Sequence, residues 1–231
     1  MNNMVKISKK LILFILIWLV CFSQKALAIN YMGIEFPYGA LSFADEVVSY
    51  TVGENVTAPY NDPSKSLGIP DQGQINSPEF WNSFVSLGDG GTLIVKFTDN
   101  FVTPSGDTNP DLWIFEAGKR HEQFSASISK NGFDWFYIGV TQSREQTGFN
   151  IDGVPGIGYR QLYYYVKLVD MYGRASSHLP GYAGADIDAV GAISAKAPDP
   201  DPEPVPEPAA LLLISSGLLG MIGTGRKKIS W

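Results

Sequence analysis

The chain has 231 residues, with 17 Lys and Arg against 23 Asp and Glu, two His and one Cys, too few thiols and imidazoles for the usual zinc arrangements or a Cys–His nucleophile pair. The charge is segmented. Residues 1–28 hold four Lys and no acid, residues 209–231 hold Arg226, Lys227 and Lys228 and no acid, and the interior holds 10 basic and 23 acidic residues, a net charge of −13. That interior excludes a nucleic-acid binder, which needs clustered Lys and Arg to displace counterions from phosphates.

At the N-terminus, Lys6, Lys9 and Lys10 precede an unbroken apolar run from Leu11 to Phe22, and Ala26-Leu27-Ala28 follows. This order predicts a secretory signal peptide over 1–28, cleaved after Ala28. The run of twelve residues falls short of the ~20 that a permanent membrane helix needs. Val20 is too bulky to precede a lipidated Cys21, so cleavage leaves a chain without cysteine and a fold without disulfides.

Residues 29–197 lack apolar residues at helical spacing and are rich in Gly, Ser, Thr and aromatics, which predicts a single all-β domain. Strands are expected at Val47–Val52 and at Thr92–Phe97, where residues alternate after the turn Gly88-Asp89-Gly90-Gly91. Leu112–Phe115 is a continuous apolar run of the kind buried on both faces of a sheet. Phe124–Ser129 alternates into Asn131-Gly132, a type I′ hairpin signal, and Trp135–Val140 is the returning strand. Leu162–Val169 and Ile187–Ser194 complete about seven short strands, the pattern of a two-sheet, jelly-roll-like β-sandwich. This sandwich is flanked by an N-terminal signal helix and a C-terminal apolar helix.

From Pro198 to Pro208 proline occupies every second position, mostly with Asp or Glu between, which predicts an extended spacer over 198–208. Ala209–Gly225 then runs seventeen residues without a charge and ends at Arg226-Lys227-Lys228. Residues 209–231 therefore read as a short transmembrane helix with its basic end held in the cytoplasm, and its four glycines are acceptable in lipid. Basic residues at both extremities keep both ends inside, so the acidic interior is translocated.

Val205-Pro206-Glu207-Pro208, followed by a Gly-rich apolar span and a basic cluster, closely resembles the PEP-CTERM sorting signal of Gram-negative bacteria. The resemblance implies processing by exosortase, a membrane-embedded cysteine-type transpeptidase that cleaves near Pro206-Glu207-Pro208 and removes the helix. It also implies an inner-membrane intermediate, then a place on the cell surface or in the extracellular matrix of a bacterium that makes extracellular polysaccharide. A plain tail anchor is the alternative. The domain itself resembles the galactose-binding-like (discoidin-like) sandwiches of exported surface proteins. The residues carrying that resemblance are 86–91, Asp111–Glu116, Ser127–Trp135 and Ala185–Val190. It implies a non-catalytic adhesive or carbohydrate-binding module.

Asp99, Asp107, Asn109 and Asp111 offer oxygen ligands between two strands, and Asp186 and Asp188 near the last strand could complete a cage for a hard cation such as calcium. Against this, Asp and Asn in loops commonly cap their own backbone. The loop aromatics Trp81 and Tyr182 are candidates for stacking on sugar rings, whereas Trp113, Phe115 and Trp135 are expected in the core. Glu116 and Glu122 could be imagined as the carboxylate pair of a glycosidase, but two carboxylates are expected by chance in an acidic domain and their expected role is surface solvation; His121 and His178 stand apart from any nucleophile motif, and no nucleophile elbow or phosphate loop is present. The sequence thus points to an exported, non-catalytic module for extracellular polysaccharide. The other readings are a matrix protein without a ligand and a secreted glycan-active hydrolase.

Overall fold

A computed structural model describes residues 28–72, 77–118, 122–141, 145–171 and 181–193. The chain divides into two units, Met1–Ala195 and Lys196–Trp231, and every described residue belongs to the first. The expected signal helix, the proline spacer and the C-terminal apolar helix lie outside the described residues. Among the described residues no helix is long and apolar enough to cross a membrane.

The described chain is all-β. Its strands are β1 (Ile29–Tyr31), β2 (Ile34–Phe36), β3 (Glu46–Thr51), β4 (Val85–Ser86), β5 (Thr92–Lys96), β6 (Leu112–Glu116), β7 (Phe124–Ser129), β8 (Trp135–Val140), β9 (Gln146–Phe149), β10 (Tyr165–Asp170) and β11 (Asp186–Ala192). Short 3-10 turns fall at Gly39–Ser42, Pro63–Ser66 and Phe80–Asn82. A five-stranded antiparallel sheet runs β3-β5-β10-β7-β8, a four-stranded one runs β4-β11-β6-β9, and β1 and β2 pair alone. β1 starts directly after Ala28, so cleavage there would leave its pairing with β2 intact.

Alternation decides which side chains meet. Leu93 and Val95 of β5, Phe124, Ala126 and Ile128 of β7, and Val166 and Leu168 of β10 form one apolar face. They share a core with Leu112 and Ile114 of β6 and with Ile187, Val190 and Ala192 of β11. Phe115 points to the opposite side of β6, where Ile34, Phe36, Phe43 and Ala189 cover it. The four-stranded sheet is therefore buried on both faces, and this explains the unbroken apolar run of β6. Gly191 makes the second cover possible, because a β-carbon there would stand 2.7 Å from the Phe36 ring and 2.8 Å from the Phe43 ring.

Two expectations need correction. β7 and β8 are joined by a loop over residues 130–134, with Ser129 opposite Trp135, rather than by a two-residue type I′ turn. Gly132 has φ +80°, and Asn131 lies outside the left-handed region. Asn131 acts through its side chain, whose Oδ1 accepts from the N–H groups of Phe133 at 2.9 Å and Asp134 at 3.0 Å. Trp135 is not a core residue, since its position opposite Ser129 puts it on the outer face of the sheet, where the Lys167 ammonium lies 4.4 Å from its ring centroid.

Candidate functional site

The loop after β3 builds one rim of the domain. Asn55 adopts φ +65° and donates from Nδ2 to Asp89 at 2.8 Å. The Gly181 N–H donates to the Asn55 carbonyl at 3.0 Å, and the Thr57 N–H donates to the Gly181 carbonyl at 2.9 Å. These bonds latch residues 181–183 onto residues 55–57 and bring Tyr182 beside Tyr60. Trp81 reaches the same place from the turn Phe80–Asn82, whose first N–H is accepted by Ser77 Oγ at 3.2 Å.

The two aromatics singled out in the sequence, Trp81 and Tyr182, thus meet with ring centroids 5.8 Å apart. Tyr60 joins them at 5.3 Å from Tyr182 and 6.4 Å from Trp81. All three are half-buried, and buried Phe80 and Phe84 back them, with Tyr60 stacked on Phe84 at 5.5 Å. Rings held by other rings present a fixed, partly open apolar surface with hydroxyl and indole N–H groups available for hydrogen bonds.

Carboxyl groups lie behind this surface. Asp186 Oδ1 accepts from Ser86 Oγ, and Tyr50 Oη donates to the Ser86 carbonyl at 2.6 Å. Burial pushes the Asp186 carboxyl well above its ordinary range, with the charge of Glu122 adding to the effect. Burial also pushes the Tyr50 phenol up to about 12, helped by Asp186. The phenol of Tyr60 is raised by burial, by Tyr182 and by Asp186. Glu116 Oε1 accepts from the Glu122 N–H at 2.7 Å, its Oε2 has no partner, and burial holds its carboxyl well above the usual range.

Asp188 belongs to a different group. It is 1% exposed; its Oδ1 accepts from the Asp71 N–H at 3.3 Å and its Oδ2 has no partner. Burial pushes it up to about 8, and the Asp71 charge works in the same direction. Gln72 bonds Glu145 at 3.1 Å nearby. Tyr31, held beside these acids, is pushed up to about 12, first by burial and then by Asp188, Glu145 and Asp71.

The six residues considered as calcium ligands do not come together. Asp111 precedes β6 at the end where Leu112 pairs Ala192, whereas Asp186 sits at the other end, its carbonyl accepting from the Ala117 N–H at 2.8 Å. Five residues of strand span about 17 Å. Asp111 accepts from the N–H groups of Ser105 at 3.0 Å and Ile151 at 2.9 Å, and Asp107 accepts from the Asn109 N–H at 2.6 Å, which holds its carboxyl below the usual range. Asp99 is raised by partial burial and by Asp45 beside it. These acids close their own loops, as Asp and Asn do without any metal. Among the described residues no group of three or more acidic, His or Cys side chains is placed to hold a metal ion. The melting temperature is therefore expected to be the same in excess EDTA and in millimolar calcium, since a cation bound to the native state would raise it.

His121 and His178, and the sorting residues Val205, Pro206, Glu207, Pro208, Arg226, Lys227 and Lys228, lie outside the described residues. Residues 204–228 match the PEP-CTERM protein-sorting motif. The motif marks an exported protein that exosortase sorts. No curated protein matches the chain.

Proposed function

We propose that the domain is a non-catalytic, polysaccharide-binding module of the galactose-binding-like kind, which exosortase delivers to the cell surface or matrix. The observation that carries this reading is the convergence of Trp81, Tyr182 and Tyr60 on one half-open surface from three separate loops. Flat rings suit the C–H face of a pyranose, and the hydroxyl rims suit its hydroxyls. A sorted, acidic protein beside an extracellular polysaccharide needs such a neutral contact, because its charge repels any acidic glycan. The proline spacer and the sorting motif would hold the sandwich clear of the membrane before processing.

The burial of the carboxylates supports a binding role over a hydrolytic one. Glu116 and Glu122 are not the solvated surface acids expected from the sequence but are 1% and 2% exposed, whereas a glycosidase pair must reach both sides of a substrate bond in an open cleft. Co-sedimentation with the producing cells' own exopolysaccharide tests the reading. The protein is expected in the pellet in proportion to the polysaccharide, without release of reducing ends. A protein that stays in the supernatant at every polysaccharide concentration overturns the reading, and reducing ends that disappear on Glu116→Gln restore the hydrolase.

A further inference from the structure

Residues 69–72 form a strap that meets β11 through a narrow fastening. The Asp71 N–H donates to Asp188 Oδ1 at 3.3 Å, and Gln72 Nε2 donates to Glu145 Oε1 at 3.1 Å. Pro70 is buried, whereas Ile69 and Asp71 are exposed. Just before the strap, the Gly68 N–H donates to the Ala44 carbonyl at 3.0 Å, which fixes that point of the chain. Gly68 has φ +80° and nothing within 4 Å of where a β-carbon would stand. It is therefore a joint about which residues 69–72 can turn.

The anchor at the other side of the fastening is acidic and has no counter-charge. Asp188 is buried and its Oδ2 has no partner. Asp71 and Gln72 of the strap face it, and Tyr31 of β1 and Glu145 ahead of β9 share the place. The charged groups of the neighbouring elements are engaged elsewhere. Opposite this part of β11, Glu116 of β6 accepts from the Glu122 N–H, and Asp186 accepts from Ser86 of β4. Lys65, on the turn Pro63–Ser66, donates to Asn82. Among the described residues no Lys or Arg pairs with Asp71, Glu145 or Asp188. A carboxylate buried among acids without a cation is costly, so the closed strap favours the protonated form of Asp188.

We propose that residues 69–72 are a pH-operated strap, closed on β11 while Asp188 keeps its proton and released as that proton passes to water. Turning about Gly68 separates Asp71 from Asp188 and lets water reach the new carboxylate. The pairing of β11 with β4 and β6 runs through backbone groups and needs no change. The device does not depend on what the domain binds. Opening returns Asp188 to the ordinary carboxyl range of about 4. In the closed form burial, the largest influence, pushes it up to about 8 against the pull of the Asp71 and Gln72 backbone, and the Asp71 charge adds to burial. Between those values each pH unit makes opening about tenfold easier.

The test is amide hydrogen exchange of the full chain from pH 5 to pH 9, each rate being divided by that of the unfolded chain at the same pH. The protection of the Asp71 amide is expected to fall at least about tenfold between pH 6 and pH 8, while the amides of β7 and β10 keep theirs. Asp188→Asn, which keeps the shape and cannot ionise, is expected to hold the Asp71 protection level across that range. Protection of Asp71 that does not change with pH in the native protein overturns the proposal, and so does a fall of the same size in Asp188→Asn. A fall shared equally by the amides of β7 and β10 shows the whole domain unfolding and also overturns it.

Discussion

Gly91→Ala is expected to destabilise the domain by at least about 3 kcal/mol, at the upper end of what overpacking costs. A β-carbon at Gly91 would stand 1.8 Å from the Leu87 carbonyl oxygen and 2.7 Å from the Gly53 nitrogen. Both atoms are backbone, and they are bonded to each other, with the Gly53 N–H donating to the Leu87 carbonyl at 2.8 Å. No side chain can swing aside. The Gly91 carbonyl also accepts from the Asp170 N–H at 2.9 Å, which ties the start of β5 to the end of β10. Gly90→Ala is the control: Gly90 has φ +76° with nothing within 4 Å of the added carbon, so it costs only the left-handed backbone, about 1 kcal/mol. Urea unfolding midpoints measure the difference, and equal midpoints for the two variants would show that this backbone crossing is not tight.

The second large effect is a loss of stability as the pH rises from about 5 to about 8. Asp188, Glu116 and Asp186 all have folded-state pKa values raised by burial. The native state therefore binds protons more tightly than the unfolded chain, whose carboxyls titrate near 4. Stability from these groups is complete below that value and is lost as the pH climbs through the folded values, up to about 8 for Asp188. Each unit of separation is worth about 1.4 kcal/mol, so the total reaches a few kcal/mol. Asp62 and Asp107, held below the usual range by hydrogen bonds, act in the opposite sense at acid pH, but both are exposed and contribute little. Asp188→Asn keeps the shape and removes the titration. Its melting temperature is expected to vary less with pH than that of the native protein and to exceed it at pH 8. A native protein that melts higher at pH 8 than at pH 5 contradicts this assignment.

The strands with strong local signals are readable in the sequence. β5, β7 and β10 alternate cleanly because one face meets the core and the other meets solvent, and β6 reads as a continuous run because both its faces are covered. The weak signals belong to elements that pairing alone stabilises. β4 has two residues, and β9, Gln-Thr-Gly-Phe, carries little strand propensity. The β1–β2 hairpin turns on Met32 and Gly33, with φ +51° and +83°, without the Asn-Gly or Asp-Gly that marks such turns. Trp81 and Tyr182 could be chosen as loop aromatics, but their partner Tyr60 could not, since the backbone bonds between residues 55–57 and 181–183 that bring it there involve no distinctive side chain. The loop acids looked like cation ligands because the residue types that bind calcium also cap turns, and only their hydrogen bonds separate the two roles.

The three-ring surface is tested by the affinity for the producing cells' exopolysaccharide measured for Trp81→Ala beside Tyr137→Ala. Tyr137, 59% exposed on β8, is a more exposed aromatic outside the three-ring surface. Losing a ring that packs against sugar is worth about 1.4 kcal/mol or more, a tenfold change. Trp81→Ala is expected to lose at least about tenfold in affinity, and Tyr137→Ala to leave it unchanged. Equal affinities for the two variants, or a loss confined to Tyr137→Ala, would show that the three rings do not hold the polysaccharide.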